Sequence, residues 1–140
     1  MYISHEHEDH FCEYTLKKLL EIKNIYFIIP AFEDKTFERY FKNINNLIIL
    51  KDAEKFSNED FNIQLYVDDR GINHDSTILV KSEGFSFFNQ NDCKIFDRLS
   101  DIISDIEDVD YYACQYSGAN WFPSTYSMDN EEKKKICSKR

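Results

Sequence analysis

The sequence predicts a layered α/β (α+β) domain, on three observations. At 140 residues the chain has the length of a single domain. Its apolar residues fall in short runs that switch between helical spacing and strand-like alternation. Its early part alternates strand with helix while its middle reads as a meander, the pattern of helices laid on sheets. With 3 Gly and 2 Pro against 16% aromatic residues, collagen-like, linker-like and low-complexity classes are excluded.

The elements follow in order. Tyr2 to Ser4 reads as the end of a strand. Tyr14 to Ile22 carries Leu16, Leu19 and Leu20 at helical spacing, with lysines on the other face. Ile25 to Ile29 is a continuous β-branched and aromatic run stopped by Pro30, which reads as a buried strand. Asp34 to Ile44 places Phe37, Tyr40, Phe41 and Ile44 on one helical face, with Asp34 as its cap. Leu47 to Leu50 is a second buried strand, and Phe61 to Val67 alternates like a half-buried one. Thr77 to Lys81 and Phe85 to Phe88 form a hairpin about Ser82-Glu83-Gly84. Ile95 to Ile106 returns to helical spacing, Val109 to Cys114 is a short strand, and a charged helical tail begins at Asp129.

Hydrophobic residues at 42% suffice for a core, and 17 basic against 26 acidic residues leave a net charge of −9. That balance argues against nucleic acid, whose binders need a basic footprint, and suits a protein that attracts cations. No apolar run reaches the ~18 residues of a membrane-spanning helix. The start, Met-Tyr-Ile-Ser-His, has neither a basic region nor an apolar core, so secretion is not expected. Cys12, Cys93, Cys114 and Cys137 are widely spaced, as in free thiols of a cytoplasmic protein.

The chemistry concentrates in His5-Glu6-His7-Glu8-Asp9-His10. Alternate residues of an extended segment point the same way, so His5 and His7 can grip one ion. A turn after them would let Asp9 and His10 face a second. Imidazole with carboxylate suits zinc first, and also iron or manganese. A solvated polar cluster or an expression tag is the bland alternative, although a tag is normally a run of histidine alone. His74 precedes the hairpin and Asp92 follows it, so both belong to one sheet edge and can meet the first cluster. Singly, His74 reads as a surface histidine, Asp92 as a turn former and Asp75 as a cap.

These residues resemble the metallo-β-lactamase fold family of metallohydrolases, and within it the metallo-β-lactamase-like part of CMP-N-acetylneuraminate (CMP-sialic acid) hydroxylase-type proteins. The likeness runs through the first motif, Asp75-Ser76-Thr77-Ile78-Leu79-Val80, Asn89-Gln90-Asn91-Asp92-Cys93 and Tyr116 to Pro123. It implies an αββα sandwich, here partial over 1–128, lacking the N-terminal strands and the C-terminal end, with 129–140 as its tail. It also implies one metal on His5, His7 and His74, a second on Asp9 and His10, and Asp92 bridging them. A metal-bound hydroxide would then hydrolyse an ester, amide or phosphate, with Asp9 accepting its proton.

Ser117, Gly118 and Trp121 would line a pocket for a small, nucleotide-sugar-like substrate, although Trp121 and Phe122 suit core packing equally well. No histidine follows His74, where the family usually has one more. Hydroxylases of this type resemble Rieske proteins in another domain, but no two Cys-His pairs occur together here. The alternative of a different class is a non-catalytic fragment or accessory subunit that pairs with a second copy or a complementing polypeptide.

Overall fold

The computed structural model describes residues 1–22, 24–70, 74–106, 108–115, 127 and 129–137. The first helix, α1 (Glu13–Leu20), buries Leu16 and turns its lysines outward. Strand β1 (Phe27–Pro30) is buried throughout and pairs in parallel with β2 (Leu47–Leu50), in register from Phe27↔Leu47 to Pro30↔Leu50. The chain start lies along the other side of β1. Tyr2 bridges Ile28 in parallel, with Ile28 N donating to Met1 O (2.8 Å) and Ile3 N to Ile28 O (3.0 Å). Residues 4 and 5 are thereby delivered to the carboxyl end of β1, the edge where open α/β sheets place their ligands.

The second sheet runs in the order β3 (Lys55–Ser57), β4 (Asn62–Asp68), β5 (Asp75–Ser82), β6 (Phe85–Asn89), β7 (Tyr111–Ala113). Its pairs are antiparallel except β6 with β7, which is parallel. The β5–β6 hairpin closes at Ser82↔Phe85 over Glu83-Gly84, and Gly84 takes φ +69, a conformation that strains other residues. Because β5 leaves the edge to which β6 returns, Asp75 and Asp92 end up at the same place. Helix α2 (Leu99–Ile106) follows β6, and α3 (Asn130–Cys137) is capped by Asp129, whose Oδ1 accepts from the amides of Glu131 and Glu132.

Apolar side chains gather in three clusters. Ile28, Leu50, Leu65 and Ile78 meet between the sheets. Phe27 and Ile29 turn from the other face of β1 to Leu16, Phe37 and Phe41. Tyr66, Leu79 and Phe88 turn from the second sheet to Ile102 and Ile106 of α2. The architecture is a mixed α/β fold with two sheets and few helices.

Several elements differ from their sequence expectations. Only Phe37–Phe41 is helical in the stretch expected from Asp34 to Ile44, and it is a 3-10 turn. Asp34 accepts from Thr36 N (3.0 Å) and Thr36 Oγ1 (2.9 Å), and Lys35 takes φ +53, so a side-chain turn replaces the first helical turn. Helix α2 starts at Leu99, not Ile95, because Ile95 to Arg98 close a separate turn (Arg98 N to Ile95 O, 2.8 Å). Strand β2 lies at a sheet edge with Ile49 exposed, so it is not fully buried as expected. Strand β3 has three residues, too few to show a period.

Candidate functional site

His5, at the carboxyl end of β1, is fully buried. Its Nδ1 hydrogen-bonds Ser4 Oγ at 2.9 Å and lies 3.0 Å from Asp75 Oδ1, so a hydroxyl and a carboxylate stand on that side of the ring and Nε2 points the other way. That Nε2 faces His7 Nδ1 at 2.8 Å. The chain then turns: the amides of His10 and Phe11 both donate to His7 O (2.9 and 2.7 Å). This brings the His10 ring to 4.4 Å from His5, centroid to centroid. His10 Nε2 stands 3.4 Å from Asp92 Oδ2 and 3.6 Å from Asp9 Oδ2.

Two sets of donor atoms result, each with its atoms within 4.8 Å of one another: His5, His7, Asp92 and Asp9, His10, Asp92. Asp92 belongs to both. Five of the six expected ligands are thus brought together. His5 Nε2 and His7 Nδ1 hydrogen-bond each other, and with the Asp92 carboxylate beside them they offer the ligand types that a cation takes.

His74 belongs to neither set. Its Nδ1 bonds Asp69 and its Nε2 lies 3.5 Å from Asp34 Oδ2, with Phe32 packed against the ring. Thr36 bonds hold the Asp34 carboxyl below its usual range, with His74 only a lesser contributor. The residues 117, 118 and 121 expected to bind substrate lie outside the described residues.

Sequence reasoning missed the scaffold behind the cluster. Ser76, fully buried, donates from Oγ to Ser4 O (2.9 Å), while Tyr2 Oη donates to Ser76 O (2.9 Å). Asn91 Nδ2 donates to Ser76 O (3.1 Å) and to Tyr2 Oη (3.3 Å). Burial pushes the Tyr2 phenol well above its ordinary value, against the opposing Ser76 bond. The Ser76 and Asn91 side chains carried no sequence signal beyond a strand start and a turn. Asp75, weighed as a cap, does accept from Ser76 N (2.7 Å) but also holds His5.

The fold and cluster define a layered α/β domain with a histidine–carboxylate cage, and the comparisons with known proteins refine that class. No family model matches the chain. It is 27% identical over 137 residues to a Mycolicibacterium smegmatis protein named for a Rieske 2Fe-2S iron-sulfur centre. It is 28% identical over 140 residues to a Mycobacterium tuberculosis protein of the same name. Each match covers 91% of this chain and 26% of the relative, so the chain spans about a quarter of those proteins. Its fold is shared with the CmlA beta-hydroxylase, at a TM-score of 0.66 and 15% identity over 96% of this chain and 30% of that one.

These findings correct the expected metallo-β-lactamase hydrolase. The relatives are named for an iron–sulfur centre, which supports neither a hydrolytic reaction, nor zinc or manganese, nor a nucleotide-sugar substrate; of the expected metals only iron is named among them, and there as an iron–sulfur cluster. The reason is chemical: the His-x-His-x-Asp-His spacing encodes a cage of imidazole and carboxylate, and such cages serve oxidative as well as hydrolytic centres. The 2Fe-2S cluster of the relatives' name does not fit the described residues. A Rieske centre takes two cysteines and two histidines, and neither donor set contains a cysteine. Cys93 is buried with its thiol raised by burial, while Cys12 and Cys114 are exposed.

Proposed function

We propose that this chain is the iron-holding part of an oxygenase-associated protein, with His5, His7, Asp9, His10 and Asp92 as the residues that hold the metal. The observation that carries this reading is the convergence of two donor sets on Asp92. One of them, His5, His7 and Asp92, has the two-histidine, one-carboxylate composition of non-haem iron oxygenases. The hydroxylase fold neighbour and the iron–sulfur names of the relatives support an oxidative role. An iron–sulfur cluster, where such a protein has one, would lie in the remaining three-quarters of its length or on a partner.

Bound iron would supply the redox chemistry. The chain's own residues position it: Asp75 fixes the His5 ring, and Asp92 is shared between the two sets. Asp9, exposed beside His10, is the carboxylate placed to take up or release a proton on the open side. Ser117, Gly118 and Trp121 remain substrate-side residues of this proposal on their sequence alone. The three core clusters support a helix–sheet–sheet–helix sandwich over 1–128, with 129–140 as its tail and completed by further strands of a longer chain or a partner. No described helix is long and apolar enough to cross a membrane; the free cysteines support a cytoplasmic setting.

Anaerobic loading of the purified chain with iron, followed by desalting and metal analysis, tests the reading. Retained iron that is lost in Asp92→Asn is the expected result. A wild-type chain that retains none overturns it.

A further inference from the structure

The donor atoms come from two distant parts of the chain, residues 5–10 and residue 92, and neither lies in a regular element. Something must hold them in register. The only covalent path between them runs through two sheets, so a tie closer to the site is needed to keep Asp92 within reach of His5 and His7.

We propose that Tyr2, Ser76 and Asn91 form a latch that positions the Asp92 carboxylate against His5, with Asn91 as the decisive positioning residue. The inference rests on the metal-holding reading above. Ser76 sits at the centre of the tie. Its hydroxyl donates to the carbonyl of Ser4, the residue before His5, and its own carbonyl accepts from the side chain of Asn91, the residue before Asp92. Tyr2 closes the ring, because its hydroxyl donates to Ser76 O and accepts from Asn91 Nδ2. One strand residue thus holds the backbone carbonyl ahead of one ligand and the side-chain amide ahead of the other.

Asn91 adds a second device. It takes φ +52, in the left-handed region that asparagine tolerates better than other side chains. Asn89 braces this turn from below: its Oδ1 accepts from Asn91 N (3.1 Å), and its Nδ2 donates to Asn91 Oδ1 (2.9 Å). Both the oxygen and the nitrogen of the Asn91 side-chain amide are therefore committed, and the direction in which the chain leaves toward Asp92 is set. A residue needed only to make the turn would not require its amide to reach Ser76 and Tyr2.

The test uses the full chain and two variants. Asn91→Gly keeps the left-handed backbone and removes the amide, and Tyr2→Phe removes one hydroxyl. Ser82→Ala serves as the control, since it deletes a comparable bond (Ser82 Oγ to Asp60 O, 2.9 Å) at the far end of the same hairpin. Iron affinity is measured together with the electron paramagnetic resonance signal of the bound ferric ion, which reports ligand geometry and which a general loss of stability would not move. Asn91→Gly is expected to weaken iron roughly 10- to 100-fold and to change the signal, as removal of an outer-shell partner does. Tyr2→Phe should lose less, under about tenfold, because it deletes the bonds of the hydroxyl but leaves the direct Asn91–Ser76 bond. Ser82→Ala should stay within about twofold of wild type. An unchanged affinity and signal in Asn91→Gly overturns the latch while leaving the metal site standing. If that variant does not fold, an unchanged Tyr2→Phe overturns it in its place. A wild-type chain that binds no iron overturns the metal site, and the latch with it.

Discussion

Two histidines beside strand β5 have opposite surroundings. His5 is sealed from solvent, and its free nitrogen looks at a second imidazole and toward Asp92. His74 is about a quarter exposed, and its two nitrogens look at two carboxylates, Asp69 and Asp34. A histidine between carboxylates has its partners already. A histidine facing another histidine shares one proton with it across a 2.8 Å hydrogen bond, and that proton can give way to a cation. The difference teaches that proximity of His and Asp does not by itself gather ligands: His74 is enclosed by carboxylates alone, whereas His5 converges with a second imidazole and a carboxylate.

The largest effects should come from breaking the first environment. Asp92→Asn removes the carboxylate common to both donor sets, so iron affinity should fall by more than about 100-fold, beyond what loss of an outer-shell partner causes. The metal-free chain should keep its fold, since the Asp92 side chain is one-third exposed. Metal analysis and a thermal melt separate the two results. Asp75→Asn should come next, weakening iron roughly 10- to 100-fold, because the His5 ring would lose the acceptor that fixes its orientation. Equal affinity in Asp75→Asn and wild type would show that Ser4 alone orients the ring.

The same comparison shows what could be read from residues alone. The first motif was legible because four ligating residues, His5, His7, Asp9 and His10, fall within six positions, and alternation fixes which of them share a side. Asp92 was legible from hairpin geometry, since a strand pair returns to the edge it left. The same argument brought His74 toward the cluster, but Asp69, five residues before it, and Asp34, remote in sequence, take it up instead. The reaction was not legible at all: the donor set is compatible with several metals, and it is the relatives named for an iron–sulfur centre, not the residues, that speak against hydrolysis. Most strands were readable from their apolar runs, whereas the stretch from Asp34 failed because an aspartate turn competes with helix at a scale that periodicity does not see.

A smaller effect is expected at alkaline pH on the sealed side. Burial raises the Tyr2 phenol well above 10, while in the unfolded chain it ionises near 10. The contribution of neutral Tyr2 is therefore complete below pH 10 and declines as pH rises from there toward the folded value. Urea midpoints measured from pH 9 to 11 should fall more steeply for wild type than for Tyr2→Phe. Some slope will remain in the variant, because burial also raises Tyr66, to about 12. Identical slopes would place the hydroxyl of Tyr2 in contact with water.

The smallest effect belongs to the satisfied histidine. His74→Ala should leave iron affinity within about twofold of wild type, since the ring lies in neither donor set. Its two contacts with carboxylates are partly exposed, and polar contacts of that kind contribute on the order of 1 kcal/mol or less. The acid side of the stability profile should also change little at Asp34. Its folded value lies below the ordinary 3.8 chiefly through the amide and hydroxyl of Thr36, with His74 a lesser cause. The stability that Asp34 adds is present above its unfolded value and lost as pH falls through the folded one, and this window should persist without the imidazole. Thr36→Ala, which deletes the hydroxyl bond, should shrink it more than His74→Ala does. A loss of iron in His74→Ala as large as that in Asp92→Asn would merge the two environments into one site and end the distinction between them.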